Sequence, residues 1–281
     1  MNDGQHVLRA HDRSLFWRDE KTGIYIGAAK QSHDGKRAQR YAWSRDFVNW
    51  TLTPEWILRA DELDSPGDQG EAAYGFNYGA QYIGFAEIRR VRKGRDTKIN
   101  WQLLSSQDGR HWNRPFRELF FPDGPKESWR YQVFKIFSNP PIEKDGQLLI
   151  YYGGKTGTVP VDKGYEPFQA LCLATLRKDG FVSLDAESGR GQLITRPLRL
   201  SGDRLILNAN AAGGEIRIGL LDENGTPIDG FGSADCLPVR LNNIDTPLTW
   251  KDNASVKAMN NRPIRLRITM RNASLYSIRC N

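Results

Sequence analysis

Apolar and polar residues alternate along this chain in short runs, without convincing helical periodicity, and one run is used twice. Tyr41-Ala-Trp-Ser-Arg-Asp-Phe-Val-Asn-Trp50 recurs as Leu103-Leu-Ser-Ser-Gln-Asp-Gly-Arg-His-Trp112. In each copy a serine is followed two residues on by an acid, Asp46 or Asp108, and four further on by a tryptophan. An acid at the head of a tight turn accepts hydrogen bonds from the next backbone N–H groups, and the tryptophan folds back to bury its ring. The same strand precedes both copies, Ile24-Tyr-Ile-Gly27 and Gln81-Tyr-Ile-Gly84. A weaker third unit carries Leu148-Leu-Ile-Tyr-Tyr-Gly153, with Asp179-Gly180 where the acid turn sat. Self-similarity over several tens of residues, with short strands and turn signals in each unit, predicts radially repeated β-sheets.

Taken in order, the first unit has a strand within residues 5–18, a turn at Asp19–Gly23, the Tyr-Ile-Gly strand, a turn at His33–Gly35, and a strand from Ala38 to Ser44. Glu55–Leu58 completes a four-strand blade if it pairs at the edge. The polar passage Asp61–Gly70 links to a second unit that opens at Glu71. Phe116–Trp129 links to a third, which opens at Tyr131 and turns at Lys144-Asp-Gly146. The Gly- and Pro-containing passage from Gly153 to Pro167 is long for a hairpin, a length often used for function. From Gly180 the texture changes. About seven short runs, among them Arg204–Asn210, Glu215–Leu221, Pro238–Leu241, Pro247–Trp250, Ile264–Met270 and Leu275–Cys280, predict an antiparallel β-sandwich. The predicted class is all-β, with propeller blades over residues 1–177 and a sandwich over 178–281.

The chain has 281 residues, 39% hydrophobic and 11% aromatic, which excludes a disordered chain. Forty Lys and Arg against 33 Asp and Glu leave a formal charge of +7, spread along the chain as on a solvated surface. The densest basic stretch, Arg89-Arg90-Val-Arg-Lys-Gly-Arg95, suits an anionic polymer such as an acidic or sulfated glycan. No nucleic-acid motif accompanies it. Cys172, Cys236 and Cys280 are far apart, show no metal spacing and are expected to act as small hydrophobes. No window approaches transmembrane length, and the first residues carry no export signal. The abrupt start near Val7-Leu8 suggests a missing leading segment; localisation is left unassigned, and a longer form is compatible with a secreted or periplasmic protein.

Gly180-Phe-Val-Ser-Leu-Asp-Ala186, Leu193-Ile-Thr-Arg-Pro-Leu198, Leu205-Ile-Leu-Asn208, Gly214-Glu-Ile-Arg-Ile218, Gly230-Phe-Gly-Ser-Ala-Asp-Cys236, Arg262-Pro-Ile-Arg-Leu-Arg267 and Asn272-Ala-Ser-Leu-Tyr-Ser277 resemble a bacterial, planctomycete-type group of proteins. That group is similar to the invertase and arabinanase clan of glycoside hydrolases, whose fold is a five-bladed β-propeller followed by a β-sandwich. The resemblance implies an acid on the innermost strand of successive blades: an Asp as nucleophile or base, an Asp as transition-state stabiliser and a Glu as general acid. Two carboxylates flanking a glycosidic bond are what its cleavage needs.

On that resemblance Asp12, in His11-Asp-Arg-Ser14, corresponds to the stabiliser and Glu71, in Gln69-Gly-Glu-Ala72, to the acid. His11, Arg89, Tyr131 and Lys135 are the expected substrate contacts, and Trp17, Tyr74 and Trp129 are further aromatic planes on which a sugar could stack. No metal or organic cofactor is expected. The implied partner is an oligo- or polysaccharide, including anionic ones, and the implied enzyme a glycosidase acting on a terminal sugar. This sequence departs from the clan in lacking the blade with the first acid and the Arg-Asp-Pro and Glu-Cys signatures. Those departures keep open an alternative of another class, a non-catalytic glycan-binding protein or an inactive fragment of such an enzyme.

Overall fold

A computed structural model describes residues 8–90, 98–136, 140–156, 169–251 and 253–281. It divides into two units, one of residues 1–144 with 148–175 and one of residues 145–147 with 176–281. The Arg89–Arg95 basic stretch beyond Arg90 and the long passage beyond Thr156 lie largely outside the described residues.

The first unit is built from consecutive four-stranded antiparallel sheets, the blades of a propeller. The first contains β1 (Leu15–Arg18), β2 (Tyr25–His33), β3 (Lys36–Ser44) and β4 (Trp50–Leu58). The second contains β5 (Asp68–Tyr78), β6 (Gln81–Arg90), β7 (Lys98–Ser106) and β8 (Trp112–Asn113). In both, each strand pairs with the next in sequence. The third contains β9 (Gln132–Ile136), β10 (Ile142–Lys144), β11 (Gln147–Lys155) and β12 (Gln169–Arg177), with β11 paired to the other three. Asp34-Gly35 and Asp145-Gly146 turn their hairpins with positive φ at both residues (50° and 73° in each), the geometry that suits the twist of the flanking strands.

The repeated Ser-x-Asp segment joins the third and fourth strands of a blade rather than ending it, so Trp50 opens β4. Ser44 Oγ accepts the N–H of Phe47 at 2.9 Å, and Asp46 Oδ1 accepts those of Val48 and Asn49 at 2.9 and 2.7 Å. The second copy repeats this: Ser106 Oγ accepts Gly109 N–H at 2.9 Å, and Asp108 Oδ1 accepts Arg110 and His111 N–H at 2.9 and 2.8 Å. The bond from Asn49 N–H holds the Asp46 carboxyl well below the usual range. Each tryptophan then donates its indole N–H to the residue at the turn apex, Trp50 to Phe47 O at 3.1 Å and Trp112 to Gly109 O at 2.9 Å.

The same geometry explains the Tyr-Ile-Gly strand. A Cβ placed on Gly84 would stand 2.9 Å from the Trp112 ring, and one on Gly27 would stand 3.1 Å from Trp50. Phe16, 2.8 Å from a Cβ on Gly27, and Tyr74 O, 2.5 Å from one on Gly84, close the same spaces, so the indole and its neighbours together leave room for glycine alone at these positions of the second strand. Linker and edge are also fastened: Arg114 and Arg117, after β8, pair with Asp61 and Asp64 between β4 and β5.

The second unit has two sheets. One has the order β13 (Leu184–Ala186), β20 (Ala273–Cys280), β16 (Leu205–Asn210), β18 (Asn242–Pro247). In the other, β19 (Pro263–Arg271) pairs with β14 (Gly191–Ile194), β15 (Leu198–Arg199) and β17 (Glu215–Asp222). Leu205, Leu207 and Leu275 of the first sheet and Ile216, Ile218, Leu220, Leu266 and Ile268 of the second share one core, which makes a β-sandwich.

Two expected strands are not strands. Pro238–Leu241 meets the second sheet through an isolated bridge from Val239 to Ile216, and of Pro247–Trp250 Pro247 ends β18 while Trp250 bridges to Cys236 and Asn253 outside the strands. Their apolar residues serve as plugs: Leu248 and Trp250 are fully buried, and the Trp250 indole donates to Ile218 O at 2.7 Å. The strand that does form, β18, has the polar sequence Asn-Asn-Ile-Asp-Thr-Pro and lies at a sheet edge, where little of it is covered. Cys172, Cys236 and Cys280 are free thiols. Among the described residues no helix is long and apolar enough to cross a membrane.

Candidate functional site

Charged residues gather where the early strands of the blades approach each other. Lys30, on β2, follows Ala28 and Ala29 in an apolar run and is only 4% exposed. Its ammonium meets Glu71 Oε1 at 2.6 Å and Asp12 Oδ1 at 3.0 Å. One lysine therefore joins both acids singled out by resemblance. Asp12 lies in the turn before β1 rather than on a strand, with a well exposed carboxylate that the bond from Lys30 holds below the usual range.

Glu71 owes its direction to a fault in β5. Gly70 faces Ile88 and Ala72 faces Glu87, so Glu71 is the extra residue of a β-bulge. Bulges re-aim a side chain and free a carbonyl from the ladder. Here Gln39, fully buried on β3, donates its amide to Glu71 O at 2.7 Å. The Glu71 carboxylate is turned toward cations, with Arg37 Nε at 3.2 Å and Arg89 Nη1 at 3.8 Å from Oε2. Burying an ion pair is tolerated only when such partners compensate the lost water.

Glu87, on β6, is the group that reading the sequence missed. It is completely buried, and one carboxylate oxygen accepts the Arg13 guanidinium while the other has no hydrogen bond. Burial raises its pKa from 4.5 to about 7; Arg13 and Lys30 pull against that rise and Glu71 adds to it. Arg13 also donates to Phe134 O on β9 at 3.3 Å, so the cluster draws on all three blades. The available signal was an acid inside the apolar run Phe85-Ala-Glu-Ile88, since a fully buried acid is rare unless paired. Lys30 carried the same signal.

Of the expected substrate contacts, Arg89 belongs to this cluster. His11 is exposed at its edge: its N–H donates to Lys30 O at 3.2 Å and its carbonyl accepts Ser14 Oγ at 2.8 Å. Lys135 is exposed on β9, next to Phe134, and Tyr131 is half-buried in the bend before that strand. Of the aromatic planes, Trp17 and Tyr74 are buried in the core, whereas Trp129 is exposed.

The arrangement offers three acids with different surroundings. Asp12 is open to water, Glu71 is buried among cations, and Glu87 is sealed and holds its proton near neutrality. Asp12 is held below the usual carboxylate range and Glu87 above it, and environments that push two carboxyl groups apart suit acid–base chemistry at neutral pH.

Comparison with known proteins leaves the family open. No family model matches the chain. No curated protein matches it either. Solved structures that it resembles include a β-1,2-mannobiose phosphorylase from Listeria innocua in complex with β-1,2-mannobiose, at 17% identity and a TM-score of 0.41 over 60% of this chain and 41% of that one. Another is a glycoside hydrolase at 17% identity and a TM-score of 0.42, with 61% and 50% covered. A sucrose-6-phosphate hydrolase from Lactobacillus gasseri matches at 11% identity and a TM-score of 0.26, with 95% and 77% covered. The chain thus spans half or less of the length of the first two. Likeness at this level leaves the chemistry to be argued from the residues.

Proposed function

We propose that this protein acts on carbohydrate, as a glycosidase that cleaves a terminal sugar by paired-carboxylate chemistry at the Asp12–Glu71–Glu87 cluster. The observation that carries the reading is Glu87: a carboxyl buried beside a second one, with a pKa raised by burial to about 7. Protonating a leaving glycosidic oxygen needs a carboxyl within reach of it, and a buried neighbour that keeps its proton spares the site a second negative charge. Resemblance assigns the acid role to Glu71. We leave it there, on Glu71, in contact with Lys30, Arg37 and Arg89, and give Glu87, fully buried and out of a substrate's reach, a positioning role as the proton-holding neighbour behind it. Asp12, exposed at the edge, is then the stabiliser or a contact to sugar hydroxyls, with His11, Arg89, Tyr131 and Lys135 as further contacts. These roles call for no metal or organic cofactor.

The experiment is release of reducing sugar from a panel of neutral and acidic oligosaccharides by the intact chain and by Glu87→Gln, Glu71→Gln and Asp12→Asn. Loss of at least a hundredfold in kcat with Glu71→Gln, with the fold intact, is the expected result; that range is typical for a general acid or base. Cleavage that survives Glu71→Gln sinks the assignment. The non-catalytic alternative draws support from the ion pairing of Glu71, which leaves that carboxylate less free to react. It predicts glycan binding without turnover in every variant.

A further inference from the structure

A second charged site lies on the sandwich, remote in sequence from the acids above. In β19 the residues Ile264, Leu266, Ile268 and Met270 face the core, so Arg265, Arg267, Thr269 and Arg271 face outward. Across the ladder Arg271 stands opposite Glu215 and Thr269 opposite Arg217. Ser188, Arg190, Glu215, Arg217, Thr269 and Arg271 line an open cavity of about 430 Å³.

The cavity's charge does not balance. Three arginines line it against one carboxylate, and Glu215 already pairs with Arg240 at 2.7 Å and with Arg217 at 3.8 Å. Among the described residues neither Arg190 nor Arg271 has a carboxylate oxygen within 4.0 Å; Arg240, and more weakly Arg217 and Arg271, hold the Glu215 carboxyl below its usual range.

The frame around these groups is fastened by backbone contacts. Asn272, at φ 42°, donates its N–H to Glu187 O at 2.9 Å and so ties the Glu187-Ser188 loop to the end of β19. A Cβ on Gly214 would fall 1.8 Å from Arg271 O, so β17 can approach Arg271 only through a glycine. Arg217 is fixed from behind, donating to Cys236 O at 2.7 Å.

From this we infer that the outer face of β14, β17 and β19 binds an anionic polysaccharide, whose sulfate or carboxylate groups seat between Arg190, Arg217 and Arg271 and hydrogen-bond to Ser188 and Thr269. Guanidinium forks match planar and tetrahedral oxyanions. The cavity is open, and Arg267 lies on the same face of β19 two positions from Thr269 and four from Arg271, roughly 7 and 14 Å along the strand, which suits a repeating polyanion better than a single small one. Among the described residues no aromatic side chain lines the cavity. That favours a glycan held by its charges over single-stranded nucleic acid, whose bases stack on aromatic rings. The inference does not depend on the cleavage proposed above.

The test is affinity electrophoresis of the intact chain through gels containing heparin, polygalacturonate or neutral dextran, with a DNA duplex as competitor. Retardation by the sulfated polymer, the uronate polymer or both, at least tenfold stronger than by dextran, is expected, and which of the two acts names the anion. Arg190→Gln with Arg271→Gln should weaken it at least tenfold with an unchanged Tm and a shallower dependence on salt, since each lost cationic contact releases fewer counterions. A control that removes two exposed arginines elsewhere, Arg18→Gln with Arg45→Gln, should keep the binding. Equal retardation by dextran, equal loss in the control, unchanged affinity in the Arg190/Arg271 pair, or displacement by DNA at equal concentration would each overturn the inference.

Discussion

Glu87→Gln gives the most direct check on the buried cluster, because it replaces an ionisable group by a neutral one of nearly the same shape. The wild-type carboxyl titrates at about 7 in the folded protein against an ordinary value of 4.5. The folded state therefore holds this proton more tightly than the unfolded chain. Between those two pH values the unfolded state binds fewer protons, so stability falls as pH rises through the window and levels off above it. A shift of this size corresponds to roughly 3 kcal/mol.

The glutamine variant has no such loss. At about pH 4, below both values, wild type and variant differ only by the change in hydrogen bonding to Arg13; at about pH 8.5 the variant should have gained roughly 3 kcal/mol relative to wild type. Urea melts of both proteins at the two pH values measure this, and every other titrating group cancels in the double difference. A stability difference that does not move with pH by more than about 0.5 kcal/mol, the usual size of an incidental surface effect, would show that Glu87 is not ionised against a burial penalty. The Arg13 pair would then be dominating its environment.

Other consequences can be measured in the same way. Lys30→Met leaves Glu71 buried without its nearest cation and should cost about 3–5 kcal/mol by chemical denaturation; adding Glu71→Gln should recover much of that loss, and a purely additive pair would argue against the contact. Trp112→Ala empties the space over Gly75 and Gly84 and should cost about 3 kcal/mol in urea melts, whereas Gly84→Ala, whose Cβ would fall 2.5 Å from Tyr74 O, should damage the blade at least as badly. Gly109→Ala should lower Tm by several degrees, since Gly109 has φ 73° and a Cβ there would stand 2.9 Å from the Tyr82 ring.

What the sequence determined by itself is local. Ser44-x-Asp46 and Ser106-x-Asp108 contact backbone only two and three residues away, so their repeat announced the turn that recurs from blade to blade. Alternation in runs such as Ile216-Arg-Ile-Gly-Leu220 foretold a strand with one buried face, because side chains along a strand change sides at every residue. Glu71 and Asp12 were legible as candidates through resemblance. Their meeting on Lys30 was not, since those contacts span 41 and 18 residues and depend on how one blade is set against the next.

Tertiary structure alone decided the rest. The bulge that turns Glu71 comes from a mismatch between β5 and β6, and neither strand shows it alone. Glu87 became a group titrating at about 7 only when Phe85, Ile88 and their neighbours removed water from around it. Polar β18 formed because an edge strand needs a backbone partner more than a buried face, while apolar Leu248 and Trp250 went to the core without becoming a strand. The physical reason is common to all four: register, burial and charge pairing are properties of two segments at once, and the order of residues in one segment does not contain the other.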